Sequence, residues 1–124
     1  MPRSLHTPSD IPRDLVRYWL GPSWTFAVAL GLKHRYGQCS YKTKTISISG
    51  PVLFAAWGLP DAESTLCDMV LHEIAHAAAF EASGDTGHGS AWHFWCRVLG
   101  CNLDHARDRR ANDLCRAAAG SGTR

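Results

Sequence analysis

The apolar positions change period several times along the chain, and each change marks an element. Leu15, Val16, Trp19 and Leu20 recur at helical spacing behind Asp10, a capping residue, with Pro12 in the first turn and Gly21-Pro22 as the stop. This predicts a first helix over residues 11–20. From Trp24 the period falls to two: Trp24, Phe26, Val28 and Leu30 alternate with Thr25, Ala27 and Ala29, as in a strand with one face of large residues. Gly31 and Gly37 frame a basic turn, Lys33-His34-Arg35. A second strand follows from Gln38 to Tyr41, and the β-branched stretch Lys44 to Ser49 reads as a third. Gly50-Pro51 ends the strands, and Pro51 opens a short helix through Trp57 that Gly58 and Pro60 close.

The longest periodic stretch begins at Asp61 or Ala62 and runs to about Ala82. Leu66, Val70, Ile74 and Ala77 share one stripe of this helix, while Met69, His72, His76 and Phe80 share another, and much of the remainder is Ala and Cys. A helix that is apolar or small nearly all round is expected to be buried, so His72, Glu73 and His76 on it need partners. Residues 83–89 form a turn-rich loop. Ser90 then caps a helix with Trp92, Trp95, Val98 and Leu99 as apolar positions, ended by Gly100, and a last amphipathic helix is predicted over about 104–118. The organisation expected is α+β: a single domain over 10–118, with about three antiparallel strands packed on the long helix. Flexible ends are expected at 1–9 and 119–124, and no internal repeat is present.

With 124 residues, 45% hydrophobic and 19% charged, the chain has the composition of one folded domain rather than of a disordered segment. No apolar run approaches the roughly 20 residues that cross a bilayer, and the polar, proline-punctuated start lacks a signal peptide's apolar centre. The expectation is a soluble, cytoplasmic protein with no membrane partner. The net charge of +2 divides unevenly: seven Lys or Arg against two acids over 1–60, six against nine over 61–124. A basic front half suits an acidic partner such as DNA, through Lys33, Arg35, Lys42 and Lys44 with His34, Tyr36, Tyr41 and Trp24 nearby; a solvated hairpin is the plainer reading of the same residues. The five cysteines include no C-x-x-C pair and read as reduced thiols filling core space.

Seven His against three Glu is an unusual ratio. Leu71-His72-Glu73-Ile74-Ala75-His76 contains two His four apart, which on a helix project side by side and can reach one Zn²⁺ at roughly 2.0–2.1 Å. Glu73 lies beside them, placed to move a proton from water to a leaving amine. Two core histidines hydrogen-bonded to backbone or to Glu73 would be the purely structural alternative. A catalytic zinc site needs a third protein ligand. A His six residues after His76, the metzincin position, is absent because Ala82 stands there. No Glu exists beyond Glu81, five residues past His76 on the same helix, so a downstream glutamate ligand is excluded by counting. His88, His93, His105, Asp85 and Asp104 remain. His88 is the best of them, since its flanking Gly87 and Gly89 let the backbone pass close to a metal and turn back sharply. His93 is the rival, better placed as a supporting residue.

Trp24-x-Phe26, Tyr36-Gly37-x-Cys39, Thr45-Ile46-Ser47-Ile48-Ser49, Leu71-His72-Glu73-Ile74-Ala75-His76-Ala77, Gly87-His88-Gly89-x-x-Trp92 and Leu99-Gly100 follow one another in an order that resembles the SprT-like metalloprotease domain, over about residues 11–101. That family includes the bacterial SprT proteins and the eukaryotic Spartan proteases, which degrade proteins crosslinked to DNA. The resemblance implies a small zincin-like fold, one zinc held by His72, His76 and His88, Glu73 as the catalytic residue, and a protein or peptide substrate. Many relatives carry a cysteine-rich zinc ribbon after the protease domain; here only Cys101 and Cys115 follow, too far apart for one. The expected chemistry is hydrolysis of a peptide bond by zinc-activated water. His93 and Tyr41 are the candidates for supporting the site or donating to the oxyanion, and Lys44 to Ser49 is the expected edge strand for an extended substrate. Two other classes share these residues: a zinc-containing nucleic-acid-binding module, and an interaction protein with a closed structural zinc.

Overall fold

The computed structural model describes residues 9–30 and 36–100, Ala62 and Glu63 by their backbone alone. The elements in chain order are α1 (Asp10–Leu20), a short 3₁₀ turn (Gly21–Ser23), β1 (Thr25–Ala29), β2 (Gly37–Ser40), β3 (Thr45–Ser49), α2 (Gly50–Trp57), α3 (Ala62–Ser83) and α4 (Ser90–Leu99). Every element predicted within the described residues is present, and the architecture is α+β. The helix predicted over 104–118 and both chain ends lie outside the described residues. Among the described residues no helix is long and apolar enough to cross a membrane.

The three strands form one sheet in the order β1-β3-β2. β2 and β3 are antiparallel, joined by the turn at 41–44, with Gln38 opposite Ser47 and Cys39 opposite Ile46. β1 pairs with the far edge of β3 and runs parallel to it, Thr25 opposite Thr45 and Ala29 opposite Ser49. The all-antiparallel sheet expected from sequence is therefore corrected to a mixed one, and the expected edge strand, Lys44 to Ser49, is central. The physical reason is burial. β3 is covered on both faces, Ile46, Ser47, Ile48 and Ser49 all being buried, whereas β1 is mostly exposed, so the strand with most to bury takes the middle place.

The same pleat sends Ile46 and Ile48 to one side, where they meet α3 in two apolar clusters. One joins Ile46 to Val16, Trp24, Val70, Ile74, Trp92, Cys96 and Leu99; the other joins Ile48 to Tyr36, Val52, Leu53, Ala56, Leu66 and Met69. α3 runs between the two, which is why it is apolar nearly all round. Its stop is local: Gly84 adopts a left-handed φ of 74° and donates its N–H to the Phe80 carbonyl at 2.7 Å. Ser49 caps α2, its hydroxyl accepting from Val52 N at 3.5 Å. Asp10 lies inside α1 rather than capping it, and its carboxylate meets Arg13 one turn on at 3.5 Å. Gly89, not Ser90, precedes the first turn of α4.

Cys39 and Cys67 are free, but Cys96 is disulfide-bonded, which corrects the reading of five reduced thiols. Sequence spacing carries no information on which cysteine backbones approach closely enough to bridge.

Candidate metal centre

α3 supplies two imidazoles by helical geometry alone, since residues four apart stack on one face. Leu71, Ile74, Ala75 and Ala77 fix the rotation of the helix by burial in the core, and that rotation turns His72, Glu73 and His76 toward β2. The third imidazole arrives from the loop after Gly84. His88 Nε2 lies 3.1 Å from His76 Nε2 and 3.3 Å from His72 Nε2. These three are the one cluster of metal-ligating side chains among the described residues, with all ligand atoms within 4.8 Å of one another. Nitrogens on a tetrahedral zinc at roughly 2.0–2.1 Å sit about 3.3 Å apart. The spacing therefore fits the ion, and the donor set of three imidazoles suits it.

The two helical imidazoles are held neutral by their surroundings. Burial, reinforced by the neighbouring imidazole of His88, lowers the His72 pKa to about 4. Burial and the rings of His72 and His88 lower His76 to about 4 as well, against a smaller opposing pull from Asp85. Trp92 forms the floor. Its ring centroid lies 4.9, 5.7 and 4.8 Å from those of His72, His76 and His88, and its indole N–H donates to the His72 carbonyl at 3.3 Å. The buried Nδ1 of His76 has no hydrogen-bond partner among the described residues; the ring is held by packing against Trp92 and by its Nε2 contact with His88.

A cavity of about 510 Å³ opens over the three rings, lined by Tyr36, Gly37, Gln38, Cys39, Tyr41, His72, Glu73, His76, Thr86 and His88. One wall is β2, an edge strand. Glu73 is buried at the base beside Gly37. Gly37 is demanded by this closeness: a Cβ there would come within 2.7 Å of the Ser47 carbonyl and 3.6 Å of Glu73 Cγ. Burial, and then the nearby Glu73, push the Cys39 thiol up to about 12, which keeps it protonated. The Tyr41 phenol is likewise pushed up to about 12, by burial first and then by Cys39, Glu73 and Asp85.

The other residues singled out in the sequence sort themselves by position. His93 is exposed on α4, its ring 5.1 Å from Trp92, and does not line the cavity. Tyr41 does line it, with its hydroxyl donating to the Thr86 carbonyl at 3.2 Å. The Asp85 carboxylate is outside the imidazole cluster and accepts from Gly87 N at 3.1 Å within its own loop. His105 and Asp104 lie outside the described residues. Lys42 is exposed, but Lys44 is paired with Glu81 at 3.0 Å, and Glu81 also accepts from Trp24 Nε1 at 2.9 Å; those contacts, the Trp24 bond foremost, hold the Glu81 carboxyl below its usual range. Lys33 and Arg35 lie outside the described residues. The sequence marks Trp92 as an apolar helix position and as part of the Gly87-His88-Gly89-x-x-Trp92 motif, but not as the ring packed beneath the three imidazoles. Its spacing from His88 was the available signal, because a helix beginning at Ser90 brings its third residue under the preceding loop.

The sequence pattern of the SprT-like family matches residues 15–112. The germ cell nuclear acidic protein of Drosophila melanogaster is 33% identical over 66 residues, which is 53% of this chain and 6% of that protein. The chain thus spans a small fraction of that relative's length. No solved structure matches.

Proposed function

The chain belongs to the SprT-like family, and from that premise we propose that it is a zinc-dependent endopeptidase with Glu73 as its general base. One observation carries the proposal: three imidazole nitrogens converge at zinc spacing on the floor of an open cavity that also holds a buried carboxylate. His72, His76 and His88 would hold the ion, which when bound supplies a Lewis acid that acidifies water and polarises a peptide carbonyl. Glu73 takes the proton from water and returns it to the departing amide nitrogen. Its enclosure between α3 and β2 keeps it within the cavity and away from bulk solvent. An extended substrate would add to the edge of β2, residues Gly37 to Ser40, that no strand among the described residues covers, and not to β3. Main-chain pairing of that kind gives weak side-chain selectivity and suits a protein or peptide substrate, DNA-associated proteins included.

An open, water-accessible cavity above the imidazoles favours this reading over a closed structural zinc, which would use a fourth protein ligand. Glu73→Gln tests it. The expected result is one zinc per chain by elemental analysis, as in the parent, with hydrolysis of an unfolded protein substrate abolished. Parent-like cleavage by that variant would refute the assignment.

A further inference from the structure

His88 differs from the other two imidazoles in what holds it. It sits in an exposed loop, between Gly87 and Gly89, with no core side chain of its own segment to fix it. Besides the ring contacts of His88, two hydrogen bonds act on the backbone at Thr86 and Gly87. The Asp85 carboxylate accepts from Gly87 N, a bond within the loop. The other comes from outside: the Tyr41 hydroxyl, on the turn between β2 and β3, donates to the carbonyl of Thr86, two residues before His88, at 3.2 Å. Tyr41 is itself braced, its ring 4.7 Å from that of Phe80 and inclined by 33°, and Phe80 lies one turn beyond His76 on α3. A continuous path therefore runs from the helix that carries two imidazoles, through Phe80 and the phenol, to the backbone of the loop that carries the third.

We propose that Tyr41 is a positioning residue for the metal centre, its phenol latching the Thr86 carbonyl so that His88 is held in register with His72 and His76. The inference rests on the zinc-binding reading above. It assigns Tyr41 a role distinct from donation to an oxyanion, because its O–H is engaged with Thr86. Tying a ligand's backbone in advance lowers the ordering cost of binding, and loss of groups that support a ligand typically weakens metal affinity by roughly 10–100-fold.

Tyr41→Phe keeps the ring on Phe80 and removes only the hydroxyl. The measurement is zinc affinity and the rate of zinc loss to a chromogenic chelator, for the parent, Tyr41→Phe, His88→Ala and the double variant. The expected result is about tenfold weaker retention in Tyr41→Phe, and no further loss when the change is made on His88→Ala, since the latch then has nothing to position. Equal retention by parent and Tyr41→Phe would overturn the proposal, as would an undiminished Tyr41→Phe effect in the absence of His88. A fall in kcat with zinc retention unchanged would also overturn it and make Tyr41 an oxyanion donor. A parent that binds no zinc would instead overturn the zinc-binding reading itself, so the two failures are distinguishable.

Discussion

The imidazole cluster is assembled from two unlike halves. The helical half, His72, Glu73 and His76, is set by α3, whose Leu66, Val70, Ile74 and Ala77 are buried to completion or nearly so. The loop half, residues 84–89, is exposed apart from a partly covered Asp85, and is restrained by the Tyr41 hydroxyl donating to Thr86 and the Asp85 carboxylate accepting from Gly87 N. In the first half the position of each ligand is a by-product of folding the core, and it cannot change without cost to the whole domain. In the second, position depends on a few contacts that each contribute about 0.5–1.5 kcal/mol. The helical half thus behaves as scaffold and the loop half as an adjustable third point.

Removing ligands exposes the contrast most strongly. His76→Ala is expected to lower zinc affinity by well over a hundredfold, beyond the roughly 10–100-fold lost with a merely supporting group, and His88→Ala to lower it by less, with His93→Ala near the parent. Competition against a chelator of known affinity gives the ranking; His93→Ala below His88→Ala would move the third ligand to α4. A second contrast is in stability. Ile74→Ala should cost about 2–5 kcal/mol in urea unfolding, because it opens a cavity in the cluster that fixes the rotation of α3. Asp85→Ala should cost under about 1.5 kcal/mol while still weakening zinc retention. Similar stability losses for the two would erase the distinction between scaffold and loop.

A further contrast is in pH. His72 and His76 titrate near 4 in the folded chain and near 6.5 when unfolded. Between those values the unfolded state binds more protons, so the metal-free protein gains stability as pH rises from about 4 to 6.5, and the contribution is complete above that window. Denaturant midpoints of the metal-stripped protein across pH 4–7 measure the slope. His72→Gln should lessen it and leave the His76 share, whereas no dependence on His72 would show that its imidazole is not held neutral by burial.

The same division decided what could be seen in the sequence. The helical half was legible because spacing on a helix is geometry: His72 and His76 had to share a face, and the small, apolar surroundings had to be buried. His88 was reached by elimination and by its glycines, which show where a backbone can turn but not which bond holds it there. Strand positions were legible from alternation, yet the order β1-β3-β2 was not, because alternation says which residues share a face and nothing about which strand inserts between two others. Ile46 and Ile48 carried the only hint, as the most apolar pair in any strand. Contacts between distant segments, Tyr41 with Thr86 and Lys44 with Glu81, have no local sequence signature.

X-ray absorption on the zinc-loaded protein tests the central claim most directly. Three imidazole nitrogens at about 2.0 Å and one exchangeable oxygen are expected around the ion, with the imidazole count falling to two in His88→Ala. A sulfur scatterer at about 2.3 Å, which Cys39 on the cavity wall would supply, or a shell closed by four protein ligands, would contradict it.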